Sequence, residues 1–371
     1  MLSHPTTGVE RYLIELLARM PADIGLQQIA PQSALGGIKG HAWEQIVLPA
    51  KLHGSSLFSP CNTGPLAVAH QVVTIHDVAA LDHPEWLNAK FALWYRWLTP
   101  RLARRVRHII AVSEFTRGRI IAHTGVAPEK ITVVLNGVDP RFAPLDSNAI
   151  ATSLAELALP SRRYVLSLGS IEPRKNLPRL LEAWAKILPT LPKDVWLVVA
   201  GSRNTRVFAT TETTGKLSRR AGTPTGRTAN TAFVSSCLRG ESSFSALRVH
   251  FTGRVADAHL PALYAGAMAF AYMSMYEGFG LPPLEAMAAG VPVLTGNLTS
   301  LPEVVGDAGV MVDPMDVDAI ARGLKELIEK QELRKKLSTA GLSRAKQFSW
   351  DRTAKRTLEV LAAEIPGTVH D

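Results

Sequence analysis

The sequence predicts a parallel α/β protein of two domains, and three observations carry this prediction. The chain has 371 residues, enough for two domains of roughly 100–200 residues each. Short apolar runs rich in β-branched residues alternate with helical segments, as in repeated βαβ units. Most of these runs are continuous, which is typical of strands buried on both faces of a parallel sheet.

Predicted strands occur along most of the chain. They cover Gln71–Ile75, His108–Val112, Ile131–Val134, Tyr164–Leu168, Val195–Ala200, Val249–Thr252, Met268–Tyr272 and Val291–Thr295. Helices are predicted between them from apolar periodicity or from turn and capping signals. They cover Glu10–Met20, Lys90–Arg107, Leu177–Leu188, Ala319–Lys330 and Trp350–Glu364. Asp316 is a suitable N-cap for the fourth of these helices.

Composition places the predicted domain boundary where Pro, Ala and polar residues accumulate, around Ala143–Ser161. We expect an N-terminal domain over residues 1–158, a C-terminal domain over 159–348 and a final helical segment over 349–371. A helix begins almost at once, although a doubly wound domain normally begins with a strand, so the first strand of the N-terminal domain is expected to be missing. Residues 203–247, rich in Ser and Thr, predict a disordered insertion; an acceptor-binding loop and a sequence error are the alternatives.

Charge and cysteine content narrow the class of protein. The net charge is +9, but the motifs of nucleic-acid binders are missing, so no nucleic-acid partner is expected. Cys61 and Cys237 lie far apart and outside any Cys/His cluster, which argues against a disulfide framework or a zinc site and favours a reducing compartment. The sequence has no long apolar span and no secretory signal pattern. We therefore expect a cytoplasmic protein, and contact with a membrane surface remains an open alternative.

The most informative stretch is Tyr276–Gly290, which follows a predicted strand. Gly278 and Gly280 allow backbone N–H groups to approach an anion closely. Pro282 or Pro283 suits the first turn of a helix, and Gly290 suits its end. A strand, a glycine-containing turn and a helix N-terminus together form a site for a diphosphate, because free amides and the helix dipole favour negative charge.

Two carboxylates, Glu277 and Glu285, frame this turn. Each can accept hydrogen bonds from two adjacent hydroxyls, so the pair could hold two sugars on either side of one diphosphate. The structural alternative is that Glu277 is a solvated loop acid and Glu285 a helix residue favoured by the dipole.

A second loop, Gly169–Asn176, follows the first predicted strand of the C-terminal domain and carries two adjacent cations, Arg174 and Lys175. Ligands of open α/β sheets bind on this side, and both cations can neutralise a diphosphate leaving group. An exposed basic turn is the alternative. The Gly-x-Gly-x-x-Gly fingerprint is not found here, which argues against a dinucleotide-dependent oxidoreductase.

His76 ends a predicted buried strand, so it could contact a transferred sugar or an acceptor; a structural histidine is the alternative.

The one Asp-x-Asp sequence, Asp316-Val317-Asp318, lies at a predicted helix start. Capping accounts for it better than metal binding, so a metal-dependent transfer mechanism is disfavoured.

Together these segments resemble glycosyltransferase family 4, whose GT-B fold has two Rossmann-like domains facing a central cleft. The segment from Glu277 to Glu285 resembles the family's donor motif. Supporting matches are Thr7–Tyr12, Val73–Asp77, Val112–Thr116, Asn136–Asp139, Phe251–Arg254 and Ser300–Val304. The resemblance covers nearly the whole chain except the missing first strand and residues 203–247.

The resemblance implies a role for each candidate residue. Arg174 and Lys175 would bind the donor diphosphate, Glu277 the transferred sugar and Glu285 the nucleotide ribose. His76 would face the sugar and the acceptor. The remaining donor-binding residues would be Gly8, Gly169, Gly278, Phe279, Gly280 and Leu281. Members of the family retain the anomeric configuration and use no metal, so no cofactor is expected beyond the nucleotide-sugar substrate.

The same resemblance implies a hexosyltransferase of bacterial surface polysaccharide synthesis. Its expected donor is GDP-mannose, with UDP-glucose and related donors open, and its acceptor a glycan or a lipid-linked saccharide. A catalytically impaired nucleotide-sugar-binding paralogue, a GT-B nucleotide-sugar epimerase and a phosphorylase are the competing functions. Aromatic residues followed by arginines over residues 86–107 favour either an interfacial helix on anionic lipid at the inner face of the plasma membrane or a helix with a packed aromatic face.

Overall fold

Residues 8–21, 25–33, 35–202 and 245–365 are described by the computed structural model of the chain. Nearly all of the predicted insertion therefore lies outside the described residues. The chain divides into two units. The N-terminal unit contains residues 1–84, 89–137 and 348–371, and the C-terminal unit contains residues 85–88 and 138–347.

The N-terminal unit is built on a four-stranded parallel sheet in the order β1-β2-β3-β4. Its strands are β1 (Leu57–Ser59), β2 (Gln71–Ile75), β3 (His108–Ala111) and β4 (Ile131–Val133). Its helices are α1 (Gly8–Leu17), α2 (Gly37–Ala42), α3 (Leu48–Lys51), α4 (Ala79–Asp82), α5 (Ala89–Arg105) and α6 (Glu114–Thr124), and a π-helical turn, Trp43–Val47, joins α2 to α3. All residues of β2 and β3 are buried, as expected for strands of a parallel sheet that is covered on both faces.

The C-terminal unit has a six-stranded parallel sheet in the order β10-β9-β8-β5-β6-β7. Its strands are β5 (Arg163–Leu168), β6 (Val195–Ala200), β7 (Val249–Gly253), β8 (Ala269–Tyr272), β9 (Val293–Gly296) and β10 (Val310–Val312). Counted from β5, this is the order of a doubly wound nucleotide-binding sheet. The order reverses between β5 and β8, and this reversal positions the candidate site.

Seven helices of the described C-terminal unit connect these strands. They are α7 (Ser147–Ala155), α8 (Leu177–Ile187), α9 (Leu260–Ala265), α10 (Leu281–Ala288), α11 (Leu301–Val305), α12 (Val317–Glu329) and α13 (Gln331–Ala345). Short 3₁₀ turns cover Pro84–Trp86, Pro128–Lys130, Pro173–Lys175, Leu188–Thr190, Ser245–Leu247 and Gly306–Ala308. The apolar faces of α8 and α12 pack in one core with the sheet, around the fully buried Trp184 and Leu324.

The division between the units falls after Gly137 and not at the predicted residue 158. Phe142 packs edge-on against Tyr264 of α9, with ring centroids 5.5 Å apart. Arg141 Nη2 lies 3.5 Å from Asp257 Oδ2. Residues 138–158 therefore pack with the C-terminal unit, because the polar composition that marked a boundary does not reveal which core the segment joins.

The last helix, α14 (Trp350–Glu364), belongs to the N-terminal unit. Val360 and Leu361 pack in one apolar cluster with Val72 of β2 and Ile110 of β3. A Cβ atom on Gly137 would lie 2.1 Å from the backbone nitrogen of Trp350, so only glycine allows the start of this helix to pack here. Among the described helices, none combines the length and the hydropathy needed to span a bilayer.

Candidate active site

Two loops meet where the strand order of the C-terminal sheet reverses. One follows β5 and contains Gly169–Asn176, and the other follows β8 and contains Met273–Gly280. They are joined through the carbonyl oxygen of Arg174, which accepts a hydrogen bond from the Met275 amide at 2.8 Å and from Ser274 Oγ at 3.2 Å. Loops at such a reversal form a crevice at the carboxyl ends of the strands, where α/β proteins bind ligands.

The two loops bring four ionisable side chains into direct contact, and we call these the charge cluster: Glu172, Arg174, Lys175 and Glu277. Lys175 Nζ lies 2.5 Å from Glu277 Oε1, and Arg174 Nη1 lies 3.2 Å from Glu277 Oε2. Arg174 Nε lies 2.6 Å from Glu172 Oε1. Two cations are thus interleaved with two carboxylates.

The charge cluster is buried, and its electrostatics follow from that. Burial alone would raise the pKa of Glu277, but Lys175 and Arg174 outweigh burial and lower the pKa to about 2. Burial raises the pKa of Glu172, whose carboxylate is fully covered, while Arg174 and Lys175 oppose this change. Burial and Arg174 lower the pKa of Lys175, against the two glutamates. A buried ion costs several kcal/mol unless it is paired, so removing one member leaves its neighbours uncompensated.

Tyr272, the last residue of β8, completes the cluster, and the sequence analysis assigned it no role. Its hydroxyl donates a hydrogen bond to Glu277 Oε1 at 2.8 Å and accepts one from Lys175 Nζ at 2.5 Å. The sequence signal that could have identified it is a tyrosine at the carboxyl end of a strand that borders the reversal.

Gly169 and Lys175 line one small cavity of about 20 Å³, which is room for about one water molecule. The lining residues are Ser167, Leu168, Gly169, Ser170, Ile171, Lys175, Leu177, Val199 and Tyr272. Gly169 has φ +150°, and its Cα lies over the stem of Lys175, since an added Cβ would meet Lys175 Cε at 3.7 Å. The structure therefore brings Gly169 and Lys175 together, and their binding of a donor stays a prediction.

The loop Gly278–Leu281 leads into α10, as the sequence predicted. Gly280 occupies the N-cap position with φ +115°, and no side chain caps this helix end. Ser300 Oγ donates to the carbonyl oxygens of Glu277 at 2.9 Å and Phe279 at 2.7 Å. Thr299 Oγ1 accepts from the Glu277 amide at 3.1 Å. The segment before α11 thus fixes the loop. No side chain caps α10, and its second and third residues are prolines without an N–H, so this helix end offers an anion the Leu281 amide and the helix dipole.

Thr299 is a second residue of the site to which no sequence pattern assigned a role. Its φ is +61°, which is rare and costly for a β-branched residue. Such strain occurs where surrounding contacts over-determine the backbone, and here the contact is the hydrogen bond to Glu277. A single sequence carries no signal for a strained threonine.

Glu285, the second carboxylate, lies in the second turn of α10 and has a different environment. Its exposed fraction is 9%, and Oε2 accepts a hydrogen bond from the Tyr264 hydroxyl at 2.9 Å. The helix turns this side chain inward. The alternative of a solvated loop acid, which concerned Glu277, is wrong because Glu277 is 7% exposed. Its predicted contact with a ribose stays a prediction.

His76 follows β2 in the N-terminal unit and is 8% exposed. Its Nε2 lies 2.8 Å from the carbonyl oxygen of Pro60, and since a carbonyl only accepts, Nε2 carries the hydrogen and Nδ1 is the acceptor nitrogen. Burial lowers the pKa of His76 despite the Pro60 carbonyl, so the ring is neutral at pH 7. Tyr12 of α1 packs edge-on against it at 4.7 Å. Gly8 begins the same helix, and its role stays a prediction.

Asp316 is the N-cap of α12, as predicted. Its side chain accepts hydrogen bonds from the amides of Asp318 at 2.9 Å and Ala319 at 3.0 Å. Asp318 points elsewhere and pairs with Lys186 at 2.6 Å. In the part of the chain that the structure describes, no group of three or more His, Cys, Asp or Glu side chains is arranged to hold a metal ion.

Comparison with known proteins identifies the family of the chain. The family described as "Glycosyltransferase Family 4" matches residues 51–142, and that described as "Glycosyl transferases group 1" matches residues 243–344. The chain is 32% identical over 307 residues to O-antigen chain mannosyltransferase B of Escherichia coli, covering 82% of this chain and 72% of that protein. The chain therefore belongs to family 4 of the glycosyltransferases.

More distant relatives differ in length. The serotype-specific mannosyltransferase WbdA of Escherichia coli is 31% identical over 261 residues, which is 69% of this chain but 28% of WbdA. The D-inositol 3-phosphate glycosyltransferase of Streptomyces scabiei is 30% identical over 270 residues, covering 71% of this chain and 55% of that protein.

Solved structures confirm the predicted fold class. WaaG, a glycosyltransferase involved in lipopolysaccharide biosynthesis, superposes with a TM-score of 0.65 at 18% identity and covers 98% of this chain and 97% of its own. HepE of Anabaena, in complex with UDP and glucose, gives a TM-score of 0.61 at 22% identity over 79% of this chain and 71% of its own. At these identities the likeness concerns the fold alone.

Proposed function

We propose that this chain is a retaining glycosyltransferase that moves a hexosyl group from a nucleotide sugar to a saccharide acceptor. The observation that carries the proposal is the charge cluster at the strand-order reversal of the C-terminal sheet. Arg174 and Lys175 are held there beside the uncapped amino end of α10. Cations and backbone amides are the groups that a diphosphate needs.

Charge explains how the site assists transfer. Breaking the bond to the anomeric carbon puts positive charge on the sugar ring and extra negative charge on the diphosphate. Arg174 and Lys175, fixed in position beforehand, stabilise the leaving diphosphate without reorganisation. Glu277 is ionised, so its carboxylate accepts hydrogen bonds from sugar hydroxyls. The acceptor hydroxyl attacks from the face that the leaving group vacates, and the leaving phosphate takes its proton, which gives retention without a metal.

The remaining predicted residues each have a proposed role of their own. Glu285 binds the nucleotide ribose, and Gly8 approaches the donor phosphates. His76 contacts the transferred sugar or the acceptor through its Nδ1 nitrogen, because Nε2 is engaged by Pro60. The acceptor hydroxyl is then oriented by a neutral group and not by an imidazolium.

We propose GDP-mannose as the donor, and a glycan or lipid-linked saccharide of a bacterial surface polysaccharide as the acceptor. The printed names of the most similar relatives support this choice, since O-antigen chain mannosyltransferase B and WbdA are both mannosyltransferases. HepE binds UDP-glucose, which keeps UDP-glucose as the alternative donor.

The test begins with the purified chain and separate GDP-mannose, UDP-glucose and ADP-glucose. The donor should raise the melting temperature, because a ligand that binds the folded state stabilises it. The chain should then transfer the hexosyl group to oligomannoside acceptors, and NMR of the product should show that the anomeric configuration is retained. The activity should be unchanged when EDTA is added. Conversion of the nucleotide sugar without acceptor would indicate an epimerase, and binding without transfer would indicate an impaired paralogue.

A specific surface supports a peripheral membrane location in addition. Leu93 and Trp97 of α5 are 70% and 42% exposed, and Ile38 and Ile46 before it in the chain are 85% and 72% exposed. The Arg101 guanidinium lies 4.9 Å from the centroid of the Trp97 ring. Exposed apolar side chains beside arginines suit the surface of an anionic bilayer.

Vesicle binding tests this location. The Leu93→Ser/Trp97→Ser double variant should lose binding to vesicles containing phosphatidylglycerol, and the control Met315→Ser, which changes a 50% exposed residue of the other unit, should not. Arg104 is unsuitable for this test because its Nε donates to the Thr124 carbonyl at 3.0 Å and supports the fold. Failure of the parent protein to bind these vesicles would contradict the proposed membrane location.

A further inference from the structure

The hydroxyl of Tyr272 joins the cation and the carboxylate on which the proposed transfer depends. Its oxygen lies 2.5 Å from Lys175 Nζ and 2.8 Å from Glu277 Oε1, and these two atoms are themselves 2.5 Å apart. The three polar atoms form a closed triangle. The phenol uses its single hydrogen toward the carboxylate and a lone pair toward the ammonium.

The position of the phenol is fixed by the sheet. Tyr272 ends β8 and its side chain is 3% exposed. Its ring stacks on Phe270 of the same strand face, with centroids 5.8 Å apart and an interplanar angle of 20°. The Lys175 ammonium lies 5.0 Å from the ring centroid. Burial raises the pKa of Tyr272 well above its ordinary value, and Glu277 adds to this effect, so the hydroxyl stays protonated and can donate.

We propose that Tyr272 is a positioning residue of the transfer reaction, whose hydroxyl holds the Lys175 ammonium and the Glu277 carboxylate in register with one another. The inference rests on the proposed function. When a donor binds, Lys175 must share its hydrogens with the diphosphate and Glu277 must accept hydroxyls of the sugar. Their direct contact then weakens, and the phenol remains as the link that keeps the phosphate-binding and sugar-binding groups at a fixed separation.

Replacing Tyr272 by Phe removes one oxygen and keeps the ring, its stacking and its cation–π contact. We expect kcat to fall about 10- to 100-fold, in line with the loss of hydrogen bonds to charged groups, with a smaller change in the donor KM. Lys175 faces Arg174, Glu172, Glu277 and Tyr272. Loss of the phenolic acceptor destabilises the charged ammonium, so the alkaline limb of the kcat/KM profile should move to lower pH.

Tyr164 provides a matched control. It is also fully buried, lies on the neighbouring strand β5 and uses its hydroxyl in one hydrogen bond, to the Leu263 carbonyl at 2.8 Å. Tyr164→Phe should lower the melting temperature about as much as Tyr272→Phe, while kcat and the pH profile stay near those of the parent protein.

The outcomes separate the two proposals. If the parent and Tyr164→Phe transfer the hexosyl group and Tyr272→Phe matches them in kcat and in pH profile, the positioning role is overturned while the proposed function stands. Equal losses in both variants, with no shift of the alkaline limb, also overturn it and leave a structural role. If the parent protein transfers a hexosyl group from none of the nucleotide sugars, the proposed function is contradicted, and so is this inference.

Discussion

The two units that carry the candidate residues differ in the charges found at the ends of their strands. In the C-terminal unit, the loops after β5 and β8 bury two carboxylates and two cations in direct contact. In the N-terminal unit, the end of β2 presents the single ring of His76, which is neutral and hydrogen-bonded to a carbonyl. The same kind of position, the carboxyl end of a parallel strand, is thus used in two ways.

Sheet topology accounts for this difference. The C-terminal sheet reverses its order between β5 and β8, so the loops after these two strands meet there and supply groups to one crevice. The described strands of the N-terminal sheet follow one another in chain order. In the proposed function, the anionic part of the donor therefore binds to the unit whose topology gathers two cations, and the other unit contributes a neutral hydrogen-bonding group.

The largest expected effect comes from Lys175→Ala. We expect kcat/KM to fall about 1,000-fold, because a fixed group that stabilises the developing charge is lost and Glu277 is left buried without its closest cation. Steady-state kinetics measure this change. The control is Lys186→Ala, which removes an exposed lysine of the same unit that pairs with Asp318. Near-normal turnover of Lys175→Ala would contradict the proposed role of the cations in the C-terminal unit.

His76→Ala should cost less, about 10- to 100-fold in kcat, because it removes hydrogen bonds and no buried charge. Affinity for GDP, measured by calorimetry, should stay near that of the parent, since the proposed diphosphate site lies in the C-terminal unit. The control His108→Asn changes a buried histidine that contacts Thr132 at 2.8 Å. Weakened GDP binding in the His76 variant alone would contradict the proposed division of roles.

Glu285→Gln sharpens the contrast between the two carboxylates. If Glu285 binds the ribose, the donor KM should rise about tenfold with little change in kcat, because a hydrogen bond to a charged acceptor is weakened in both ground and transition states. Glu277→Gln should instead reduce kcat strongly. Identical kinetic patterns for the two variants would refute the assignment of ribose and transferred sugar.

The smallest expected effect is on stability in acid. The pKa of Glu277 is about 2 against an ordinary value of 4.5, so its carboxylate stabilises the folded state above pH 4.5 and this contribution is lost as the pH falls toward 2. The melting temperature of Glu277→Gln should lie below that of the parent by several degrees at neutral pH. The gap should narrow as the pH falls below 4.5. A gap that is independent of pH in thermal melts would show that the ion pairs do not stabilise the fold.

Much of the architecture could be predicted from local pattern. All eight predicted strands are present, with ends shifted by at most two residues, because their continuous apolar runs are long enough to be recognised. The strands β1 and β10 were missed, since three residues carry too little pattern. Among the candidate residues, Arg174, Lys175 and Glu277 were identified by their loops and are found in contact.

Other features of the site could not be predicted from a single sequence. The role of Tyr272 depends on its contact with Lys175, and Tyr272 ends a strand 97 residues from Lys175 along the chain. The hydroxyls of Ser300 and Thr299 form hydrogen bonds with backbone groups of Glu277 and Phe279, and such bonds produce no recognisable residue pattern. Packing also decided that residues 138–158 belong to the C-terminal unit.

Periodicity and turn chemistry are local properties, so the amino-acid sequence alone predicts two parallel α/β units with glycines, cations and carboxylates at the ends of particular strands. Which of these groups come into contact is known from the three-dimensional fold alone. The pKa of an ionisable side chain and its ion-pair partner depend on where the side chain lies relative to the reversal in strand order. That position depends on contacts between segments that are remote in the chain.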